Sequence, residues 1–360
     1  MIKQSRLVSV AIAAAVFASA CSDDDYKSSV QPPPTSQGPS FTEVVAFGDS
    51  LSDAGTYNPT TADTNPANDS PTGLTFSTKP GSTWAVYVAG TYGITLRPNR
   101  QVNFGVVGNG GAIIELGGLD YAEGGARIET DAPDGGVVMQ PIPGVGTVPV
   151  QLATSRAIRT QIDDYLAEHS NSFGDHQLVL VQGGANDFFA FLGQVAADPS
   201  QAANTPTVIA NTAAAMLGQI GRLRSAGATR IIYSNLPDLG KTPQFSSTPL
   251  AGLATQIATN YNAAMVTQLN AWGVHIFDTA ALINEVVASP SSFGFANATT
   301  PACTSLTTPG NPATLSALIC SPSTLVAPGA DLTYVFADGV HPTARAHAVW
   351  SDRVTATFSP

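Results

Sequence analysis

The sequence predicts an α/β protein that is built on a parallel β-sheet, and three observations carry the prediction. From residue 41 onward, short strand-like runs alternate with segments of helical length, an order typical of parallel sheets covered by helices. The strand-like runs are continuously apolar rather than alternating, as in strands that are buried on both faces. The chain has 360 residues, of which 43% are hydrophobic, enough to bury a sizeable core in one large or two small domains.

The strands and helices follow one another in a regular order. Five apolar runs are predicted as strands, at residues 43–47, 177–182, 229–234, 274–277 and 333–336. Helices are predicted at residues 82–92, 154–167, 206–225, 251–271, 279–288 and about 343–357. The last helix starts just after Pro342, because the fixed φ of proline suits the first turn of a helix.

Two stretches interrupt this order. Residues 57–80 are rich in Asn, Thr, Pro and Asp, whereas residues 96–149 are rich in Gly and include a β-like fragment at 111–116. Long insertions in compact α/β domains are often binding loops. The alternative, that each stretch is a surface loop without a function, remains open.

The composition excludes one class of partner. Charged residues make up 11% of the chain, less than half of the roughly 25% that is usual for soluble proteins. The net charge is −11 and no run of basic residues occurs. Because binding to phosphate backbones requires a basic surface, we expect no nucleic-acid partner.

The N-terminus has the features of an export signal. Residues 1–20 combine two basic residues, an apolar stretch at 7–17 and an Ala-Ser-Ala cleavage site, so they are predicted to be a signal peptide. Cys21 follows at once, and the Ala-Ser-Ala-Cys sequence also resembles a bacterial lipobox, whose cysteine carries a lipid. Both interpretations place the cleavage site after residue 20. The lipobox predicts an outer-membrane lipoprotein, whereas a plain signal peptide predicts a secreted protein.

Residues 21–40 are rich in Asp, Pro and Ser and show no apolar periodicity, which predicts a flexible tether ahead of a domain at 41–360. If Cys21 is lipidated, this tether would hold the domain off the membrane. The remaining cysteines, Cys303 and Cys320, form an even pair that is predicted to be a disulfide in an oxidising compartment. Two free thiols are the alternative, and a metal site is disfavoured because no His lies nearby in the sequence.

Chemistry-bearing residues follow three of the predicted strands. The sequence Gly-Asp-Ser-Leu-Ser occupies 48–52, Gly-Gly-Ala-Asn-Asp occupies 183–187, and Asp-Gly-Val-His-Pro occupies 338–342. The carboxyl ends of parallel strands share one edge of a sheet, where ligands bind in open α/β folds. We therefore expect a Ser, an Asn, an Asp and a His to meet at that edge.

These residue types are the parts of an acyl-transfer site. A serine hydroxyl needs a general base, which an imidazole near neutrality can supply, and a carboxylate fixes the imidazole tautomer. An amide N–H and backbone N–H groups can hold the oxyanion of the tetrahedral intermediate. The simpler alternatives are a helix cap for Ser50, a turn residue for Asn186 and a surface turn residue for His341. An Asp-x-x-His pair could also bind a metal, but no third ligand is apparent in the sequence.

The four sequences resemble the GDSL (SGNH) family of serine esterases and lipases. Ser50 matches the nucleophile, Asn186 the oxyanion asparagine, and Asp338 with His341 the family's Asp-x-x-His pair. The segment 120–126 is similar to Asn-x-Ala-x-Gly-Gly-Ala of the family, which places the oxyanion glycine at Gly125, although Asp rather than Asn stands first here. The matches span residues 48 to 341 in the family's order.

The resemblance implies a flavodoxin-like three-layer α/β/α sandwich, the SGNH hydrolase fold. It also implies hydrolysis of carboxylic esters through an acyl-enzyme, with Ser50, His341 and Asp338 as the triad. Ser50 N–H, Gly125 N–H and Asn186 would form the oxyanion hole, and neither a metal nor a cofactor is implied. Two other functions remain open: an acyltransferase that uses an alcohol acceptor at the same site, and a surface-binding lipoprotein without catalysis. The substrate could be a lipid, a short-chain ester or an acylated sugar.

Overall fold

The computed structural model describes residues 41–60, 74–106, 113–131, 137–142, 146–151, 154–304 and 317–358. The predicted signal peptide, the predicted tether and the predicted lipidation site at Cys21 lie outside these residues. Within them, the strands are β1 (Glu43–Phe47), β2 (Tyr57–Thr60), β3 (Arg100–Val106), β4 (Ile113–Glu115), β5 (Val137–Ile142), β6 (Gly146–Gln151), β7 (Gln177–Val181), β8 (Ile231–Ser234), β9 (His275–Phe277), β10 (Asn297–Pro301) and β11 (Tyr334–Phe336).

The helices agree with the predicted order apart from two additions, one at residues 185–197 and a short one at 330–333. They are α1 (Trp84–Thr91), α2 (Ile158–Glu168), α3 (Ala185–Ala197), α4 (Thr205–Ser225), α5 (Ala251–Ala271), α6 (Thr279–Ala288), α7 (Ala330–Thr333) and α8 (Ala344–Thr357). Helix α3 is absent from the predicted set, although Phe188, Phe191, Leu192 and Val195 are buried along one face at helical spacing. No helix in the described part of the chain is long and apolar enough to cross a membrane.

The central sheet is parallel and has the strand order β1-β7-β8-β9. Its strands are covered on both faces: Val45 and Phe47 of β1 belong to one apolar cluster, whereas Val44 and Ala46 belong to another. Successive strand residues point to opposite faces, so each strand contributes to two cores. This arrangement confirms the predicted α/β fold with helices on both sides of a parallel sheet.

Strand β11 was predicted in this sheet, and that prediction is wrong. The strand instead pairs in parallel with β10 in a separate two-stranded ladder. On its other side, the returning chain takes the free backbone groups, since Thr343 N–H donates to Val335 O and Ala337 N–H donates to His341 O. The backbone groups that a fifth strand would offer to the central sheet are thus already used.

The two interrupting stretches join in one accessory sheet. Strand β2 from the first stretch pairs in parallel with β3 from the second, and β3 in turn pairs with β4 and β6. The resulting five-stranded sheet starts at Tyr57, five positions after the 48–52 sequence ends. Structured strands therefore replace much of what the sequence suggests is loop.

Cys303 and Cys320 form a disulfide, with their Cα atoms 5.7 Å apart. Both residues are buried together with Ala317 and Ala337 in a small apolar cluster. The predicted pairing is therefore present in the structure. It lies beside the residues that follow β11.

Candidate active site

The turn after β1 presents Ser50. Only glycine fits at position 48, because a Cβ there would lie 2.3 Å from Gln182 O. The buried Gln161 side chain accepts from Gly48 N–H (2.9 Å) and donates to Gly48 O (2.8 Å). The Asp49 carboxylate accepts from Leu51 N–H (3.0 Å) and closes the turn. Backbone and side-chain contacts on both sides therefore hold the residue that precedes Ser50.

Ser50, His341 and Asp338 form one hydrogen-bonded chain. The Ser50 Oγ lies 2.8 Å from His341 Nε2, and His341 Nδ1 lies 2.7 Å from Asp338 Oδ2. Ser50 follows β1 and the other two follow β11, so 291 positions of sequence separate the hydroxyl from the imidazole. Both distances are within the range of direct proton transfer between heavy atoms. The structure thus brings together the three residues that the sequence predicts as a triad.

Asp338 is fully buried and accepts several hydrogen bonds. Its Oδ1 accepts from Val340 N–H (2.9 Å) and His341 N–H (2.8 Å), and its Oδ2 accepts from Ala317 N–H (2.6 Å) as well as facing the imidazole. Burial acts to raise the pKa of the Asp338 carboxyl, but the His341 side chain and the backbone N–H groups of His341 and Val340 outweigh it and hold the pKa below its usual value. The carboxyl is therefore ionised at neutral pH and can orient the ring.

Asn186 lies at the start of α3. Gly184 precedes the helix with φ +102°, a left-handed conformation that glycine adopts without strain. The Asn186 Nδ2 donates one hydrogen bond to Ala126 O (3.0 Å), which leaves its second N–H for another acceptor. The adjacent Asp187 accepts from Ile128 N–H (3.1 Å), so both side chains hold the 126–128 segment against the helix.

Gly125 directly precedes this segment. It has φ +82°, and no atom is closer than 3.9 Å to the position a Cβ would occupy. Among the described residues, neither the Gly125 N–H nor the Ser50 N–H has a hydrogen-bond partner. Two unpaired backbone donors and the free N–H of Asn186 are the groups that an oxyanion requires.

The position where Asp120 replaces the family's usual asparagine is buried. Asp120 accepts from Ala122 N–H (3.0 Å) and, through its other oxygen, from Ala54 N–H. Asp53 accepts from Gly124 N–H (3.0 Å). Burial raises the pKa of Asp53 to about 7, and burial together with the charge of Asp53 raises the pKa of Asp120 well above its usual value. The two carboxyls link the Ser50 turn to the glycine segment.

Glu123 is the centre of a buried ion cluster beside Gly124. Its side chain is fully buried and accepts from Arg100 Nε (2.7 Å) and Nη2 (2.9 Å). It also accepts from Arg156 Nε (2.7 Å) and from Arg156 N–H (2.7 Å). The cluster connects β3 of the accessory sheet with the approach to α2 and fixes the chain two residues before Gly125.

Phe76 packs against the candidate triad from the accessory region. Its ring centroid lies 5.1 Å from that of His341, and its edge contacts the position that a Cβ of Gly124 would occupy. The neighbouring Tyr57 donates to Gly124 O (2.8 Å). Sequence reasoning missed Phe76, because nothing in its local composition separates it from other residues of an irregular stretch. It also missed Glu123, although a Glu directly before a Gly-Gly pair was a usable signal.

Other titratable groups near Ser50 have perturbed pKa values. Burial raises the pKa of Asp49 to about 6, and one of its oxygens has no hydrogen-bond partner among the described residues. His347 is fully buried, accepts from Trp84 N–H (3.2 Å) and has its pKa lowered by burial to about 3. It is therefore neutral and structural. Within the described ranges, no three His, Cys, Asp or Glu side chains are grouped so that they could hold a metal ion.

Comparison with known proteins adds independent information. The GDSL-like lipase/acylhydrolase family model matches residues 44–354. A curated protein of Pseudomonas putida, an uncharacterized protein in the trpE-trpG intergenic region, is 32% identical over 121 residues, which are 33% of this chain and 19% of that protein. The chain thus spans about a fifth of the length of this curated relative.

Two solved structures are similar over most of the chain. Phospholipase A1 from Streptomyces albidoflavus NA297 has 11% identity and a TM-score of 0.44, covering 88% of this chain and all of that one. Est24, a carbohydrate acetylesterase from Sinorhizobium meliloti, has 15% identity and a TM-score of 0.36, covering 88% of this chain and 99% of that one. Because the family model matches nearly the whole described domain, the chain belongs to the GDSL-like lipase/acylhydrolase family.

Proposed function

We propose that the protein is an exported serine hydrolase that cleaves carboxylic esters through a Ser50 acyl-enzyme. The observation that carries this proposal is the continuous hydrogen-bonded chain from Ser50 Oγ through His341 to Asp338. A buried carboxylate behind an imidazole that faces a hydroxyl is the arrangement that activates a serine.

The reaction has two halves that use the same groups. The Ser50 Oγ attacks the ester carbonyl while His341 Nε2 accepts the hydroxyl proton, and Asp338 stabilises the imidazolium through Nδ1–H. His341 then returns the proton to the leaving alcohol, which leaves the acyl group on Ser50. Water attacks this ester with His341 again as base, and the carboxylic acid departs as Ser50 regains its proton.

The oxyanion of each tetrahedral intermediate would be held by three donors. They are Ser50 N–H, Gly125 N–H and the second N–H of Asn186 Nδ2. Support comes from the two backbone groups lacking a partner among the described residues and from the bond between Asn186 and Ala126 O that orients the amide. A donor of this kind contributes about 3–4 kcal/mol to the transition state.

Export is proposed on separate grounds. The N-terminal 20 residues have the pattern of a signal peptide, and Cys21 follows the cleavage site. The disulfide between Cys303 and Cys320 is of the kind that persists in oxidising compartments. Mass spectrometry of the mature protein tests this proposal: a diacylglycerol adduct on Cys21 would indicate a lipoprotein, an unmodified N-terminus at residue 21 would indicate secretion, and an intact residue 1 would refute export.

The catalytic proposal is tested by hydrolysis of p-nitrophenyl esters from acetyl to palmitoyl. We expect activity in the wild type and its loss in Ser50→Ala, with the best chain length distinguishing short-chain from lipid-like substrates. Ser52→Ala is the matched control, because its hydroxyl lies in the same turn but accepts from Trp84 Nε1 (3.1 Å) rather than facing His341. Full activity in Ser50→Ala would refute the mechanism.

Two further measurements separate the remaining alternatives. Labelling with a serine-directed phosphonate should modify Ser50 and spare the Ser50→Ala variant. A folded wild type that neither hydrolyses esters nor takes the label would instead point to a binding protein. Product analysis with an added alcohol distinguishes hydrolysis from acyl transfer, since a transferase yields a new ester in place of the free acid.

A further inference from the structure

One hydrogen bond to Asp338 comes from outside its own turn. Val340 and His341 donate to Oδ1 within the 338–341 turn, whereas Ala317 N–H donates to Oδ2 from 21 positions away in sequence. Oδ2 is the same oxygen that faces His341 Nδ1. Ala317 and Asp338 are both fully buried, so water does not compete for this bond.

The turn that presents Ala317 ends at a disulfide. Cys320 N–H donates to Ala317 O (3.1 Å), which closes a short 3₁₀ turn over residues Ala317–Ile319. Cys320 is bonded to Cys303, whose N–H donates to Ala337 O (3.1 Å), the residue just before Asp338. The disulfide therefore joins two segments that both contact the end of β11, one at Ala337 and the other at the Asp338 carboxylate.

The same disulfide also reaches the other side of His341. Cys320 O accepts from Lys79 N–H (3.0 Å), and Lys79 Nζ donates to Thr75 Oγ1 (3.0 Å) and Ser77 O (3.3 Å). Phe76, which lies in this segment, packs 5.1 Å from the His341 ring. The carboxylate and the aromatic ring that hold His341 thus both depend on residues tied to Cys320.

We propose that Ala317 is a positioning residue for Asp338, and that the Cys303–Cys320 disulfide makes turnover depend on its own oxidation state. This inference rests on the proposed serine-hydrolase function of the same site. The Ala317 N–H stabilises the ionised carboxylate and directs Oδ2 toward His341 Nδ1. Two-electron reduction of the disulfide by a phosphine, which takes up the oxygen of water as its oxide, leaves two thiols. It removes the covalent tie of the Ala317 turn to the Cys303 segment, whose backbone N–H donates to Ala337 O beside Asp338.

The sign of the pH effect follows from this contact. A donor to a carboxylate favours the ionised form, so its loss raises the pKa of the Asp338 carboxyl from its lowered value. The acid limb of the kcat/KM profile, which reports the Asp338–His341 pair as a unit, then moves to higher pH. Among the residues that the structure describes, Asp49, on the turn after β1, and His347, on α8, interact electrostatically with His341, and both remain in every variant below.

The test compares Ala317→Pro with Ala317→Gly in the full chain. Proline lacks the N–H but suits the first position of a helical turn, whereas glycine keeps the N–H and removes only the methyl group. We expect Ala317→Pro to lower kcat about 10- to 100-fold, the effect of a lost hydrogen bond to a charged group, with little change in KM. The acid limb should move to higher pH in Ala317→Pro and stay in place in Ala317→Gly.

Reduction of the folded protein provides an independent arm. Treatment with a phosphine reductant should lower wild-type kcat and move the acid limb in the same direction, and reoxidation should restore both. Without any reductant, the double variant Cys303→Ala, Cys320→Ala should have the lower kcat and the shifted acid limb of the reduced wild type. Adding reductant should change neither property, although the third cysteine, Cys21, is still present. Near-UV circular dichroism confirms at each step that the protein remains folded.

A spectroscopic readout separates this inference from the proposed function. The downfield proton resonance of His341 Nδ1–H, assigned by its loss in His341→Gln, should shift in Ala317→Pro and on reduction but not in Ala317→Gly. If the resonance shifts while Ser50→Ala keeps its activity, the positioning role stands and the serine mechanism falls. If folded Ala317→Pro and reduced wild type both keep the resonance, the kcat and the acid limb, the inference is overturned.

Discussion

Replacing Glu123 by glutamine tests whether the buried ion cluster stabilises the candidate active site. The carboxylate accepts from Arg100 Nε, Arg100 Nη2, Arg156 Nε and Arg156 N–H at 2.7–2.9 Å. Glu123→Gln has nearly the same shape, but it removes the negative charge between two guanidinium groups. It also places an amide NH₂ where two of the four donors point, so those donors lose their acceptor.

The magnitude follows from burial. The Glu123 side chain is fully buried, and those of Arg100 and Arg156 are only 11% and 9% exposed, so solvent cannot replace the lost partner. Breaking a buried ion pair by removing one member costs about 3–5 kcal/mol. For a domain of this size, that loss corresponds to a fall in melting temperature of roughly 4–8 °C. Arg156 keeps its ion pair with Asp164 (2.8 Å) in the variant. We therefore expect a loss of stability toward the lower end of this range of about 3–5 kcal/mol.

Differential scanning calorimetry and urea unfolding of both proteins measure the change. Glu285→Gln is the matched control, since its pair with Arg353 (3.1 Å) has both side chains about half exposed and should contribute less than about 1 kcal/mol. Because Glu123 lies two residues before Gly125, we also expect kcat to fall more in Glu123→Gln than in the control. Equal destabilisation by the two substitutions would refute the reasoning that this cluster stabilises the site by burial.

Three further predictions concern the neighbours of Ser50. Asn186→Ala should lower kcat about 10²- to 10³-fold with little change in KM in ester-hydrolysis assays, because an oxyanion donor acts mainly in the transition state; unchanged kcat would remove Asn186 from the oxyanion hole. Asp53, whose pKa burial raises to about 7, contributes stability that is present below about pH 4 and is lost as the pH rises through about 7. Melting temperatures measured across that range should therefore fall more steeply with pH in the wild type than in Asp53→Asn. Parallel curves of melting temperature against pH would contradict the raised pKa of Asp53. Gly124→Ala should cost about 1–3 kcal/mol in urea unfolding, because its Cβ would lie 2.2 Å from the Phe76 ring, and Phe76→Leu in the same chain should recover part of that loss.

Local sequence was sufficient to predict a helix or strand where the segment's own residue pattern specifies its conformation. Helices α5 and α6 and strand β1 have the predicted boundaries, because each is a periodic or continuously apolar run with clear ends. Helix α3 was missed because Gly-Gly precedes it and Asn-Asp lies in its first turn, and these residues are typical of turns. Its buried face of Phe188, Phe191 and Leu192 carried the periodic signal that would have revealed it.

The prediction for β11 failed for a different reason. Its apolar run does specify a strand, but the choice of partner depends on which backbone groups of other segments are free. Strand β10 and the returning chain at Thr343 take both of its edges. Strand pairing in the accessory sheet was equally unpredictable from local sequence. Strands β2 and β3 pair across more than 40 positions of sequence, and neither has a sequence pattern that identifies the other as its partner.

The sequence by itself determined the residue types of the candidate site and their order, together with the parallel α/β architecture that brings strand ends to one edge. Those features depend on short-range chemistry: apolar runs, turn residues, and side chains able to transfer protons or donate hydrogen bonds. Only the tertiary structure decided what holds the site in place, namely the Ala317 N–H on Asp338, the Phe76 ring beside His341 and the arginines around Glu123. Such contacts join distant segments, often through backbone groups that every residue possesses, so no local residue pattern predicts them.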